Sequence, residues 1–226
     1  MRPYVFIMND QERLLEVARR LEAHYGPLPW RKQGEPLDIL ILTILSQNTN
    51  DGNRDRAYGA LRRRYPSYQA IAEADPDELA QTIQVGGLHR QKSRRIQEIL
   101  RTIYREQGAF DLSYLAELSR EEALKELLRF KGVGKKTAGI VLTFSLNKPY
   151  FPVDTHIKRI TRRLELVRPG EDPHEAMNRL VPDKLKYQLH LHLIRHGRDT
   201  CRARKPACAR CVIAQLCPWP GQAGTA

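Results

Sequence analysis

The sequence predicts an all-α protein, because helical periodicity recurs along the chain and alternating strand patterns are scarce. Leu14, Val17, Ala18 and Leu21 follow the i, i+3, i+4, i+7 spacing of one buried helix face, and Gly26 with the proline after it ends that helix. The fold class thus rests on this spacing and on the stop signals that follow it.

The next predicted elements are also helices with recognisable ends. After a linker over residues 29–36, residues 37–46 are apolar on nearly all sides, which is typical of a central helix. Asp75, followed by proline, predicts an N-cap and a first helical residue. Ser119 and Glu122 have the spacing of a capping box, which predicts the start of another helix.

Two glycine turns interrupt this helical pattern. Residues 85–88 break the chain before a basic helix, and Gly132 and Gly134 precede an apolar helix predicted over 137–144. Paired glycines allow positive φ and close backbone approach, while free N–H groups at a helix start can bind phosphate. This is the logic of a helix–hairpin–helix that grips a nucleic-acid backbone; the alternative is a simple turn between helices.

The charge of the chain indicates a nucleic-acid partner. Lys and Arg number 38 against 26 Asp and Glu, which gives a net charge of +12 and a pI near 9.8. No apolar run approaches the roughly 20 residues that span a bilayer, so we expect a protein that is neither exported nor membrane-bound. The basic residues form four groups: Arg62, Arg63 and Arg64; Arg90, Lys92, Arg94 and Arg95; Lys158, Arg159, Arg162 and Arg163; Arg202, Arg204 and Lys205.

Two residues are candidates for catalysis. Lys136 follows Lys135 at a predicted helix start, and both features favour the uncharged, nucleophilic amine. Asp154 precedes a basic helix, so a carboxylate could stabilise positive charge on a sugar that the amine attacks. The alternatives are a phosphate contact for Lys136 and a helix N-cap for Asp154.

Four cysteines near the C-terminus indicate a metal centre. Their spacing, C-x6-C-x2-C-x5-C, suits a tetrahedral thiolate site, and it leaves zinc and an iron–sulfur cluster both open. Two disulfides are the third reading, disfavoured because the rest of the chain lacks cysteine. The residues are Cys201, Cys208, Cys211 and Cys217.

Taken together, these motifs resemble the endonuclease III family of base-excision DNA glycosylases, in the helix–hairpin–helix superfamily. The matching segments are GVGKKTA at 132–138, PVDTHI at 152–157, HGRDTC at 196–201 and the cysteine spacing, with weaker matches at 45–49 and 87–93. The resemblance covers about residues 10 to 218.

The resemblance assigns roles to individual residues. Lys136 is the implied Schiff-base nucleophile, Asp154 its catalytic carboxylate, and the four cysteines the ligands of a [4Fe–4S] cluster. Leu88 and either Gln47 or Asn48 are the implied plugs for the space that a flipped base leaves; the choice within the pair stays open. The remaining expected DNA contacts are Gly132, Gly134, Lys135, Thr137, Arg202, Arg204 and Lys205.

The resemblance also implies two helical domains. A six-helix barrel with the helix–hairpin–helix is expected over residues 30–148, and a cluster domain over 1–29 with 149–226; the target base flips into the cleft between them. The implied partner is double-stranded DNA with damaged bases or abasic sites, met by a monomer in the cytoplasm at the nucleoid.

The expected activity is that of a bifunctional enzyme, which removes damaged, oxidised pyrimidines and then cleaves the abasic site by β-elimination. One alternative is a monofunctional mismatch glycosylase of the same superfamily, although such enzymes lack lysine at position 136. Another is a non-catalytic helix–hairpin–helix DNA-binding module with a structural metal, which loss of Lys136 or Asp154 would have favoured.

Overall fold

The computed structural model describes residues 8–219, and these residues contain helices and turns but no strand. The predicted all-α class is confirmed. Two compact units make up the fold: Lys32–Lys148, and the described residues up to Arg31 together with those from Pro149 onward. Among the described residues, no helix combines the length and apolar character that crossing a bilayer requires.

The unit Lys32–Lys148 is built around α2 and α8. Its helices are α2 (Pro36–Leu45), α3 (Asp51–Arg64), α4 (Tyr68–Glu73), α5 (Pro76–Thr82), α6 (His89–Gln107), α7 (Arg120–Leu128) and α8 (Lys135–Ser145). Helix α2 packs along α8, and nearly all of its side chains are buried, as its apolar sequence predicts. The linker before α2 is one residue shorter than predicted, because Pro36 is already the first residue of the helix.

The one acidic residue of α2 joins it to two other helices. Asp38 is half-buried and accepts hydrogen bonds from the hydroxyls of Tyr58, at 2.7 Å, and Tyr68. Burial and the neighbouring carboxylate both raise the pKa values of these tyrosines. Both phenols therefore stay protonated at neutral pH and keep donating to Asp38, which fixes α3 and α4 against the central helix.

Helix α6 is amphipathic and fills the core from one side. Its buried face carries Ile96, Ile99, Leu100 and Ile103. From the same helix, Gln97 donates to the carbonyl oxygens of Ile71 and Ala74 at 3.1 and 2.8 Å. These bonds satisfy carbonyls at the end of α4, where the helix has no internal partner for them.

The second unit contains α1 (Asp10–Tyr25), α9 (Thr155–Arg163), α10 (Pro173–Leu180) and α11 (Lys186–Asp199). The stripe predicted in α1 is buried and packs on the core of this unit, together with Phe151, Ile157, Met177, Leu189 and Leu193. Helix α1 starts at a capping box formed by Asn9 and Glu12, and it ends at Gly26, whose φ is +85°. The predicted capping box of α7, Ser119 with Glu122, is also present.

Helices α9 and α11 pack closely at one glycine. A Cβ atom placed on Gly197 of α11 would lie 2.8 Å from Cβ and 3.0 Å from Nδ1 of His156 on α9. Both residues belong to the motif segments singled out in the sequence, 152–157 and 196–201. The close contact between the two residues explains the presence of Gly197 and His156 in those motifs as a packing requirement.

We expect Gly197→Ala to lower the free energy of unfolding by about 1–3 kcal/mol, because the new methyl group overpacks the contact with His156. Thermal unfolding followed by circular dichroism measures this. The control is Gly52→Ala, since a Cβ there meets only ordinary contacts at 3.5 Å and glycine is costly within a helix. Equal midpoints for the two variants would contradict a tight contact at Gly197.

Candidate nucleic-acid interface and metal centre

The turn between α7 and α8 is a tight hairpin that requires glycine at one position. Gly132 has φ of +84°, and a Cβ on it would lie 2.6 Å from Cδ and Nε of Arg95. The positive φ disfavours any other residue here. The Val133 side chain is buried, so the hairpin is anchored in the core while Lys131 and Gly134 are exposed.

Helix α8 starts two residues earlier than predicted, so both lysines lie inside its first turn. Gly134 is the N-cap residue, with extended backbone and no capping side chain. Lys135 and Lys136 are the first two helical residues, half-buried, and Thr137 is buried. Because the N-cap is a glycine with no capping side chain, this helix start has the form that binds an anion at the positive end of a helix dipole. Thr137 can offer such an anion only its backbone N–H.

The Lys136 amine has no hydrogen bond or ion pair to any residue within 8–219. An amine without a carboxylate partner is available both to attack an electrophile and to contact a phosphate, the two readings that the sequence left open. The geometry thus places a lysine with no protein partner at the mouth of an anion-binding hairpin.

The turn after α2 is bonded to this hairpin through Gln47. Its Nε2 donates to the Gly132 carbonyl oxygen at 3.2 Å, and its Oε1 accepts from Arg95 Nη1 at 3.1 Å. The next residue, Asn48, is exposed and has φ of +51°. Of the two plug candidates in this turn, Gln47 is therefore held by the protein and Asn48 projects from it.

Leu88, the third plug candidate, is also exposed on a strained turn. It precedes α6 with φ of +47°, and 49% of its surface is accessible. Left-handed backbone costs a leucine roughly 1–2 kcal/mol, and the exposed side chain makes no core contact that would offset this cost. The strained backbone and the exposed side chain are compatible with the plug role that the resemblance implies for Leu88.

The four basic groups do not face solvent with all of their members, so not every cation in them can contact a phosphate. Lys92 is 1% exposed, and Arg159 and Arg163 are half-buried and bonded within the protein. The basic residues that remain exposed in these groups are Arg63, Arg64, Arg90, Arg94, Lys158, Arg162, Arg202, Arg204 and Lys205. The surface available to a nucleic acid thus carries fewer cations than the sequence groups suggest.

Asp154 is the N-cap of α9, as one of the two readings of the sequence proposed. Its Oδ1 accepts from the Ile157 backbone N–H at 2.8 Å, and the residue is half-buried. The preceding residue, Val153, is buried and anchors the chain at this point. Capping holds the carboxylate in one orientation, so the structural role does not compete with a chemical one.

The four cysteines line one cavity and form no disulfide. The walls are otherwise mainly apolar, with Ile160, Leu164 and Ile213 among the lining residues. Among the described residues, no three His, Cys, Asp or Glu side chains lie close enough to hold a single metal ion. Four thiols around one mainly apolar cavity can hold an iron–sulfur cluster, in which four irons each take one thiolate, and they can also hold zinc.

Two side chains lie within hydrogen-bonding distance of these thiols. Arg163 Nη1 donates to Cys201 Sγ at 3.2 Å, and His196 Nε2 lies 3.4 Å from Cys211 Sγ. Burial lowers the pKa of His196 to about 4, so its ring is neutral at pH 7, and it raises the pKa of the Cys211 thiol to about 12. Deprotonating that thiol therefore requires the positive charge of bound metal.

The loop between Cys201 and Cys208 is anchored from α9. Arg159 donates to the carbonyl oxygens of Cys201, at 2.7 and 2.9 Å, and Gly197, at 2.9 Å. Arg163 donates to those of Arg202 and Ala203, and its guanidinium stacks 4.0 Å from the centre of the Trp219 ring. These two anchors were not predicted from the sequence. Their i, i+4 spacing on either side of the apolar Ile160 could have indicated that this face of α9 points inward.

Comparison with known proteins agrees with the sequence resemblance. Residues 41–182 match the family described as HhH-GPD superfamily base excision DNA repair protein, and residues 201–217 match the iron-sulfur binding domain of endonuclease III. Endonuclease III of Thermotoga maritima is 36% identical over 82% of this chain and 84% of its own length, and that of Escherichia coli K12 is 31% identical over 94% and 97%.

A solved structure of a trapped endonuclease III–DNA covalent intermediate matches the fold with a TM-score of 0.78. It is 25% identical to this chain and covers 93% of this chain and 97% of its own. The similarity of sequence and fold thus extends over both compact units.

We expect the purified protein to be brown and to contain about four irons and four sulfides per chain, because the four thiols match an iron–sulfur binding segment. Metal and acid-labile sulfide analysis after anaerobic purification measures this. Cys208→Ser is expected to lose the cluster. Stoichiometric zinc in protein expressed with ample iron would contradict the assignment.

Proposed function

Because the chain belongs to the endonuclease III family of HhH-GPD superfamily base excision DNA repair proteins, we propose that it removes oxidised pyrimidines from duplex DNA and nicks the strand at the abasic site. The family supplies the enzyme class, a DNA glycosylase with abasic-site lyase activity. The choice of lesion and the roles of individual residues are the proposal.

The observation that carries the proposal is the position of Lys136. It is the second residue of α8, behind a glycine hairpin whose helix amides have no side-chain cap. Such a hairpin holds a phosphate of the DNA backbone without reading sequence. A lysine two residues beyond the cap is then close to the sugar of the held strand.

Base extrusion precedes the chemistry, because the sugar C1′ cannot be reached within a stacked duplex. Asn48 and Leu88, which are both exposed and both have left-handed backbone, are proposed to fill the vacated space. Gln47 holds the first of these turns to the hairpin through the Gly132 carbonyl. Phosphate contact and plug insertion would therefore be mechanically connected in this unit.

The neutral amine of Lys136 then attacks C1′. A carbon–nitrogen bond to lysine forms as the glycosidic bond breaks, and the base leaves with a proton. Ring opening gives an imine, which acidifies the adjacent C2′ position; loss of that proton expels the 3′ phosphate by β-elimination. Hydrolysis of the imine returns the free lysine.

Asp154 is the proposed electrostatic partner of this reaction. Positive charge develops on the sugar as the base departs, and a fixed carboxylate stabilises that charge more in the transition state than in the ground state. Because the cap to Ile157 uses only Oδ1, Oδ2 is left for this role.

The iron–sulfur cluster has a structural role in this proposal. The four cysteine thiolates would hold it, and it would order the loop that presents Arg202, Arg204 and Lys205. All three side chains are exposed, as a phosphate contact requires. We propose that the partner is duplex DNA, met by a monomer at the nucleoid.

The two alternatives account less well for these residues. A monofunctional mismatch glycosylase has no use for a lysine at position 136, and a non-catalytic module has no use for Asp154 beyond a cap that asparagine would provide equally well. A covalent trapping experiment separates all three readings.

We expect borohydride to trap the wild-type protein covalently on a duplex that contains thymine glycol, because reduction fixes the imine. Lys136→Gln should abolish trapping while binding to the duplex stays largely intact. Lys135→Gln, which removes the same charge from the preceding residue, is the control and should still be trapped. Trapping of Lys136→Gln at the wild-type rate would assign the nucleophile to another amine.

We expect Asp154→Asn to slow single-turnover base release by about 10- to 100-fold with little loss of stability. Asparagine preserves the N-cap but not the charge. Asp172→Asn is a matched control, because Asp172 caps α10 in the same unit through a 2.7 Å bond to the His174 amide. If both variants release base at the wild-type rate, Asp154 is a cap and no more.

A further inference from the structure

Lys92 is a buried cation that the proposed chemistry does not use. Its side chain is 1% exposed, and its ammonium donates to the carbonyl oxygens of Leu45, at 2.7 Å, and Gly86, at 2.8 Å. Burial excludes contact with a phosphate, although the sequence places Lys92 in a basic group. A lysine in this position must therefore act through the two carbonyl groups that it holds.

Both carbonyl groups stand at the base of a turn that carries a plug candidate. Leu45 is the last residue of α2, and Asn48 follows three residues later; Gly86 ends a 3₁₀ turn, and Leu88 follows two residues later. One ammonium thus joins the bases of two turns that are about 40 residues apart in sequence. The two carbonyl oxygens are neighbours because they share a single donor group.

Asn48 and Leu88 also share a backbone conformation that requires support. Their φ angles are +51° and +47°, and both residues are exposed, so their own side-chain contacts do not hold them there. Residues in left-handed backbone persist only where the surrounding structure fixes it. The hydrogen bonds of Lys92 are placed to provide that support at the base of each turn.

We propose that Lys92 is a positioning residue for base extrusion, holding the turns of Asn48 and Leu88 in register so that the two side chains enter the duplex together. This inference rests on the proposed function, because it assigns these residues to the space that a flipped base leaves. It makes Lys92 necessary for extrusion without any contact between Lys92 and DNA.

The ammonium is suited to this role better than an apolar side chain of equal length. Carbonyl groups at the end of a helix lack internal partners, and a cation there is stabilised by the helix dipole. Burial lowers the pKa of Lys92, because it disfavours the charged ammonium. An apolar replacement avoids the cost of burying a charge, but it leaves two carbonyl oxygens without a donor. Lys92→Met is therefore expected to fold with loosened turns.

The test compares Lys92→Met with Gln97→Met. Gln97 is a matched control, because it is buried on the same helix and also donates to two carbonyl oxygens, at the end of α4 instead of at the plug turns. Plug insertion is read from 2-aminopurine opposite a tetrahydrofuran abasic analogue, which a lyase cannot cleave. Base release is read in single turnover on a thymine glycol duplex.

We expect Lys92→Met to lose most of the 2-aminopurine signal and to release base about 10- to 100-fold more slowly, while its affinity for undamaged duplex changes less than about twofold. Gln97→Met should match the wild type in all three. Lys92→Gln retains amide donors, so its 2-aminopurine signal and its rate of base release should lie between those of the wild type and Lys92→Met. It replaces Lys92→Met in the test if the methionine variant unfolds.

Equal behaviour of Lys92→Met and Gln97→Met, whether both normal or both impaired, would overturn the inference, since Lys92 would then be an ordinary buried side chain. Absence of any 2-aminopurine signal with the wild type would also overturn it. The fluorescence needs no chemistry, so a wild type that inserts its plugs but releases no base would contradict the proposed function and leave the role of Lys92 measurable.

Discussion

Hydrogen bonds from inward-facing cations to main-chain carbonyl oxygens support the turns on which the candidate site depends. Lys92 bonds to the ends of α2 and of the 3₁₀ turn before α6, and Arg159 and Arg163 bond to the loop that begins at Cys201. These carbonyl groups lie where regular helix ends, so they have no internal donor. A cation satisfies several of them at once, which is how short irregular segments are held in a defined geometry.

The parts of the fold that the sequence predicts well are those with local signals. Capping at Asp75 and Ser119, the apolar character of α2 and the stop at Gly26 depend on residues within a few positions of one another, and each is confirmed. The glycine hairpin is also predictable from the sequence, because a backbone with positive φ favours glycine locally. The starts of α2 and α8 lie one and two residues earlier than predicted, because Pro36 and the lysine pair are compatible with a first helical turn.

The parts that escaped prediction depend on long-range contacts. Lys92 and Arg159 look like their basic neighbours in sequence, and only packing shows that they point inward. Gln47 and Asn48 were equivalent in sequence, and the bond from Gln47 to Gly132, 85 residues away, is what distinguishes them. The proposed roles of Lys136 and Asp154 rest on the family resemblance, because a helix start and an N-cap have purely structural explanations in any protein.

The left-handed backbone of Asn48 and Leu88 has a consequence for how damage is found. A loop that becomes ordered only on DNA loses conformational entropy at every encounter, and this cost weakens each one. Two tips already fixed in the free protein lose little. In the proposed function, the unit would therefore test successive base pairs as a stiff probe, and the resistance of the base stack, rather than the ordering of the protein, would decide where it stops.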